Sequence, residues 1–412
     1  MSQMSRVKFP EQGQDREAVM AQLRAMKGKD IDWQGGRASM FMFKANVAVS
    51  ALGKDAFMEY FQENALGANS AFPSVKTMES EVVQMALDLF HAPDGAHGYM
   101  TTGGTESIIQ AVQTCRDWSR AQRGQATHRG NIVAFETVHP AFDKAAKLMD
   151  LEVRRIPVDP WKEPAVSDLE VAMDADTILL VGSAPNYPYG SIDPIAQLGE
   201  LAQRRGVWLH VDACVGGYLA PFARQNGRVI PDFDFSVPGV MSMSADLHKY
   251  GFCPKPASTV LYRTADRAKF QLFDQNRWPT GRFVTTTIVG TRPAGGVAAA
   301  WAMIRFLGAQ GYREIASQLM SSIDDYKAGV HAIEGLRVVG RPDLAVVAIT
   351  SDQVDMLKVA ARLNAKGWLP GVLHKPKGIH RMMSMLHAAS NDQFLADLRV
   401  AVEEIRGRSA NE

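Results

Sequence analysis

Apolar residues recur along this chain with two different periods. Val82, Val83, Ala86, Leu87 and Phe90 share one helical face; after the turn residues Pro93, Asp94 and Gly95 comes a second such stripe, Ile108, Ala111, Val112 and Cys115. Two amphipathic helices therefore flank the Gly-rich segment 101–105. The rhythm then changes to short apolar runs at 132–135, 178–181, 207–211, 240–243 and 259–262, separated by helix-length segments. Buried runs of that length alternating with helices predict a mainly parallel sheet covered on both faces, a three-layer α/β unit.

Beyond residue 296 the pattern changes again. It predicts a helix around 298–306, a strand at 345–349, a helix ending near Gly367 and a strand at 379–386. A final helix carries Phe394, Leu395, Leu398, Ala401, Val402 and Ile405 on one face, completing a smaller α+β unit. Residues 1 to about 35 show no sustained apolar period and read as an arm. The expected organisation is an N-terminal arm over 1–60, a large domain over 61–296 and a small domain over 297–412.

With 45 basic against 44 acidic residues and no long run of either sign, nothing suggests a nucleic-acid groove or a polybasic membrane patch. Cys115, Cys214 and Cys253 are odd in number and widely spaced, which argues against a disulfide scaffold and against a metal site. Residues 1–14 lack an apolar core of signal-peptide type, and no stretch has the apolar length of a membrane span. The expectation is a soluble, cytoplasmic protein whose partners are small molecules and copies of itself.

Three features occur in an order that gives them weight. Thr102-Gly103-Gly104-Thr105-Glu106-Ser107 opens a helix, where glycines permit close backbone approach and free N–H groups favour a phosphate. Alone, such a turn reads more readily as a plain loop. His210-Val211-Asp212-Ala213 closes an apolar run, and ligands in open α/β sheets sit beyond the carboxyl ends of strands; in isolation Asp212 reads equally as a turn cap. Lys249 follows a strand, with His248 before it and Tyr250-Gly251 after it. A lysine so placed can supply a Schiff-base amine, although a lone lysine is ordinarily a solvated charge.

Together these segments resemble a known family: the group II decarboxylases that depend on pyridoxal 5′-phosphate (PLP), and within it the sphingosine-1-phosphate lyase branch. The resemblance runs from about residue 30 to residue 406. It includes TTGGTES at 101–107, VHPAFDKAA at 138–146, PNYPYGSIDPI at 185–195, HVDACVGGYLAPF at 210–222, SMSADLHKYGFCPKPAS at 242–258 and TTTIVGTRPAGG at 285–296. It implies PLP fold type I, the aspartate-aminotransferase-like fold, with a mainly parallel seven-stranded sheet. It further implies that Gly103, Gly104 and Thr105 cradle the cofactor phosphate with His248 close by, and that His139 stacks on the pyridine ring. Asp212 would pair with the ring nitrogen, Ala213 would touch the ring face, and Lys249 would form the Schiff base. The active site in this fold lies between two subunits, so a homodimer is implied, with the 285–296 loop and its Thr287 approaching the partner's cofactor. Met40, Phe41, Met42 and Phe43 would be interface or core.

Reaction type is the harder reading, because PLP cleaves whichever Cα bond stands perpendicular to its ring. Lys255 sits where the lyase branch has a lysine near the substrate phosphate. A phosphate-contacting histidine of that branch is missing from Asn64-Ala65-Leu66-Gly67-Ala68, and Phe43 stands for an active-site tyrosine. Arg381 falls where archaeal tyrosine and aspartate decarboxylases have an arginine, and a guanidinium matches a carboxylate in bidentate geometry. The expectation is a carbon–carbon lyase cleaving a β-hydroxy amine or β-hydroxy amino acid, with α-decarboxylation of an amino acid as the alternative. A catalytically idle PLP-binding protein is a poor third, since Lys249, Asp212 and His139 are all present.

Overall fold

The computed structural model describes residues 6–409; residues 1–5 of the expected arm and 410–412 of the expected small domain lie outside the described residues. Seven strands form the main sheet: β1 (His97–Thr101), β2 (Asn131–Phe135), β3 (Glu152–Ile156), β4 (Thr177–Ser183), β5 (Trp208–Asp212), β6 (Val240–Ala245) and β7 (Ser258–Tyr262). Their order is β1-β7-β6-β5-β4-β2-β3, and β7 alone runs against the others.

Alternation along the strands divides the core into two layers. Val133, Phe135, Leu180, Leu209 and Val211 face one side, under the helices Pro73–Leu89, Ile195–Arg205 and Gly295–His331. Ile132, Ala134, Leu179, Val181 and Trp208 face the other, under Gly104–Arg123 and Ala141–Met149. Both faces are dry, which is why these strands read as continuous apolar runs. β1 and β3 escaped that reading: β1 carries Thr101 and a glycine, and β3 is an edge strand with Arg154 and Arg155 at its centre.

After β7 an exposed hairpin, β8 (Phe273–Trp278) and β9 (Gly281–Thr285), leads into the 285–296 loop. The second sheet is antiparallel, β10 (Leu336–Val338), β11 (Val346–Ser351), β12 (Gly371–His374) and β13 (Lys377–Met382), in the order β10-β11-β13-β12. The strand expected at 379–386 stops at Met382, because Ser384 and His387 form a capping box that starts the short helix Met385–Ala388. Gly190 joins the two sheets. Its φ is +80°, and a Cβ there would run into the Val346 carbonyl of β11.

The arm is not irregular throughout. Asp15 caps a helix over Arg16–Lys27, but none of its residues is buried against the rest of the chain. Its apolar side chains leave no packing signal because Val19, Leu23 and Met26 remain exposed. Among the described residues no helix is long and apolar enough to cross a membrane.

Three histidines are buried in this framework. His210 on β5 lies between Ser242 Oγ at 2.8 Å and Ser244 Oγ at 3.2 Å, His387 meets the Ala38 carbonyl at 2.7 Å, and His380 lies on β13. Burial lowers each to about 4. The unfolded chain takes up these protons near the ordinary histidine value while the folded chain resists them, so stability is present above about pH 6.5 and declines as pH falls toward 4. Denaturant titrations at pH 7 and pH 5 should differ by about 1–2 kcal/mol per buried histidine, and His387→Gln should reduce the difference.

Candidate active site

Parallel strands deliver the turns at their carboxyl ends to one edge of the sheet. There, Thr102 to Thr105 follow β1, His139 follows β2, Ser183 ends β4, Asp212 ends β5, and Asp246, His248 and Lys249 follow β6. All line a single cavity of about 510 Å³. The arm and second sheet supply an apolar wall of Met40, Phe41, Phe43 and Met382.

The turn after β1 is built to receive an anion. Gly103 precedes the helix Gly104–Arg123 and offers no side-chain cap, so the first N–H groups of the helix remain available. A Cβ on Gly104 would sit 2.7 Å from Cys214 Sγ and 2.8 Å from Asp246 Oδ2, so glycine is required there. Glu106 holds the turn: Oε2 accepts from Thr102 N at 2.7 Å and Thr102 Oγ1 at 2.6 Å, and Oε1 accepts from Ile288 N at 2.9 Å.

Asp212 Oδ1 accepts from Cys214 N at 3.1 Å and from Ser244 Oγ at 3.4 Å, while Oδ2 makes no hydrogen bond among the described residues. His139 is exposed at the cavity, and its Nδ1 accepts from Ala141 N at 3.2 Å, placing the ring proton on Nε2. Lys249 Nζ lies 2.9 Å from Asp246 Oδ2. Burial works against the ammonium, but the Asp246 carboxylate together with Cys214 and Asp212 outweighs it and raises the lysine above its ordinary value. His248 shifts the other way: burial lowers it, and Lys249 and Lys255 add to that against Asp246. Its Nδ1 is buried without a partner. Lys255 also lines the cavity, donates to the Phe41 carbonyl at 3.1 Å, and is lowered by burial and by Lys249.

Three sequence-derived positions fall elsewhere. Ala213 is fully buried behind the cavity, its N–H bonded to the Ser244 carbonyl, and the residues that line the cavity after Asp212 are Cys214 and Val215. Thr287 donates to the Val289 carbonyl at 2.7 Å and lines a separate pocket beside Tyr99, Leu66 and Arg292. Arg381 is the clearest correction. On β13, His380 and Met382 share one face and Arg381 points to the other. Its guanidinium lies 3.9 Å from the Phe394 ring centroid and 5.0 Å from that of Tyr326, with Nη1 donating to Asn391 Oδ1 at 3.1 Å. Burial lowers it to about 10. It is a core residue and grips nothing in the cavity.

Sequence reasoning passed over Asp246, Cys214, Glu106 and Tyr187. Asp246 and Glu106 stood inside quoted motifs, three residues before Lys249 and in the first turn of the helix. Tyr187 lines the cavity with its ring edge toward His139 at 6.4 Å and His380 at 4.8 Å, and no periodicity marks it.

A glycine turn closed to a Cβ at Gly104, a strand-end carboxylate with a free oxygen, an orphaned imidazole nitrogen and a buried amine fit PLP. Fold and cavity together define a PLP enzyme of fold type I. The chain belongs to the pyridoxal-dependent decarboxylase family, whose conserved domain matches residues 1–350. It is 38% identical to the sphingosine-1-phosphate lyase of Oryza sativa over 94% of this chain and 73% of that one. The corresponding values for the Arabidopsis thaliana lyase are 42%, 81% and 62%, so the chain spans roughly two thirds of these plant relatives. A solved sphingosine-1-phosphate lyase of Burkholderia pseudomallei superposes with a TM-score of 0.93 at 37% identity, covering 100% of this chain and 95% of that one. The protein is a PLP-dependent lyase.

Two substitutions separate site from core. Gly104→Ala should cost at least ten-fold in PLP affinity, read from cofactor absorbance during titration, with little loss of fold. Arg381→Ala should lower thermal stability through the lost ring contacts and the cavity it leaves, yet leave the substrate KM within about two-fold.

Proposed function

We propose that this enzyme cleaves the Cα–Cβ bond of a phosphorylated β-hydroxy amine by retro-aldol chemistry, releasing an aldehyde. The observation that carries this reading is the cavity's charge: among the described residues no arginine lines it, and Lys255 is the cation that remains beyond Lys249 and the two histidines. A substrate α-carboxylate would lack a bidentate partner, whereas a phosphate could pair with Lys255 as a point charge. The α-decarboxylase alternative drew its support from Arg381, which is packed between Phe394 and Tyr326.

The roles follow from position. The 102–105 turn and His248 would hold the cofactor phosphate, Asp212 would keep a proton on the pyridine nitrogen, and His139 would cover the ring. When bound, PLP supplies an electron sink for the bond broken at Cα. Met40, Phe41, Phe43 and Met382 would hold an aliphatic chain and exclude water. Asp246 keeps a free Lys249 amine protonated, so this lysine can deliver a proton to Cα after cleavage.

Homodimer formation is part of the proposal. It is supported by the exposure of Phe41, Phe61, Phe273, Trp278 and Ile288, each more than half accessible, and by the unpacked Arg16–Lys27 helix. Thr287 would then contribute across the interface. A cytoplasmic setting is supported by Cys115, Cys214 and Cys253, all buried and unpaired.

The test is product analysis by mass spectrometry with a phosphorylated sphingoid base, its unphosphorylated parent, and a panel of amino acids. Aldehyde should form from the phosphorylated base, and Lys255→Ala should raise its KM about ten-fold with kcat little changed. Carbon dioxide from an amino acid, without aldehyde from any base, would overturn the proposal.

A further inference from the structure

Asp246 is a carboxylate with nowhere to go. The residue is 2% exposed, directly after β6, and its charge is held by three side chains. Ser258 Oγ donates to Oδ1 at 2.6 Å, Lys249 Nζ meets Oδ2 at 2.9 Å, and His248 Nε2 stands 3.6 Å from Oδ2, too far for a hydrogen bond and close enough for an ion pair. Cys214 and Tyr218, whose thiol and phenol are both neutral and buried, also feel its charge, and Asp212 acts on Lys249 from β5. Removing the partner of a buried charge costs several kcal/mol, so Asp246 stays ionised only while a cation stands beside it.

Cofactor loading takes that ammonium away from the carboxylate. Lys249 supplies the positive charge now and is also the amine that bonds PLP. At the same time the 102–105 turn would receive the phosphate, and that turn packs on the carboxylate: a Cβ on Gly104 would lie 2.8 Å from Asp246 Oδ2. Two anions separated by one turn of backbone require a cation between them. His248 is placed to be it, since a Cβ on Gly103 would lie 3.6 Å from His248 Cε1 and the buried Nδ1 has no partner.

We propose that Asp246 is an exchangeable counter-ion: it holds Lys249 as an ammonium while that amine is free and, once Lys249 is bonded to PLP, pairs with a protonated His248 that donates to the cofactor phosphate. Both changes made by loading favour the imidazolium. The ammonium that repels it is lost, and an anion is gained beside it. Of the other groups acting on His248, Lys255 opposes the protonated ring in both states, and Asp246 and the Ala257 carbonyl favour it in both. Asp246 is thus a positioning residue, acting on the cofactor through His248 and Lys249. The inference rests on PLP and is independent of which substrate the enzyme takes.

The test follows the His248 Cε1 resonance in protein labelled with ¹³C-histidine, assigned by its loss in His248→Asn, over a pH titration of the full chain with and without PLP. In the wild type without PLP, His248 should titrate below the ordinary histidine range; with PLP it should titrate above it. In Asp246→Asn both titrations should fall below their wild-type counterparts, and the one with PLP should no longer lie above that range. PLP should also bind this variant about ten-fold more weakly, while pyridoxal, which lacks the phosphate, changes by less than about two-fold. A wild-type His248 that titrates identically with and without PLP overturns the proposal, and that comparison stands even if Asp246→Asn does not fold. Equal losses of PLP and pyridoxal affinity would mean a merely structural role and would also overturn it.

Discussion

In a sheet whose strands β3, β2, β4, β5 and β6 all run the same way, each segment must cross back over a face before it can pair again, and the turns leaving the strands collect along one edge. That geometric rule assembles a site from residues more than a hundred positions apart. Thr102, His139, Asp212 and Lys249 meet because they each follow or end a strand of this sheet. Burying both faces of the strands makes the edge rigid, so loops standing on it inherit fixed positions without being regular themselves.

Charge is the second constraint on that edge. Asp246, Glu106 and Arg292 are all nearly inaccessible, and each is paired with a particular neighbour: Lys249, the Thr102 backbone, and Glu79 at 3.0 Å. Such groups define geometry more than they add stability, because desolvation consumes most of what pairing returns. Glu106 illustrates the point. By accepting from Thr102 N on one side and Ile288 N on the other, it ties the 102–105 turn to the 285–296 loop.

Much of this was legible in the order of residues. Five buried strands announced themselves because both faces are apolar, and residues of the Thr102–Ser107, Asp212 and Lys249 segments meet in one cavity. What escaped did so for physical reasons. β3 is an edge strand with charged centres, and the Arg16–Lys27 helix lacks a packing partner within the chain, so neither shows an apolar stripe that means burial. Ala213 and Cys214 differ by one residue, and only three-dimensional placement shows which side chain reaches the cavity. Arg381 was misread because its type suggested a carboxylate partner, whereas strand parity points it into a nest of aromatic rings.

The bond from Lys255 to the Phe41 carbonyl sets a threshold for recognition. Phe41 holds a φ of +74°, a backbone state an ordinary residue adopts only when its surroundings insist, and its carbonyl accepts from Lys255, a cation that lines the cavity. A neutral visitor that displaced this contact would exchange one dipole for another and gain almost nothing. A dianion exchanges a dipole for a full charge. If Lys255 receives the substrate anion as proposed, the resting contact would favour a charged ligand over an uncharged look-alike whose hydrocarbon fits the apolar wall equally well.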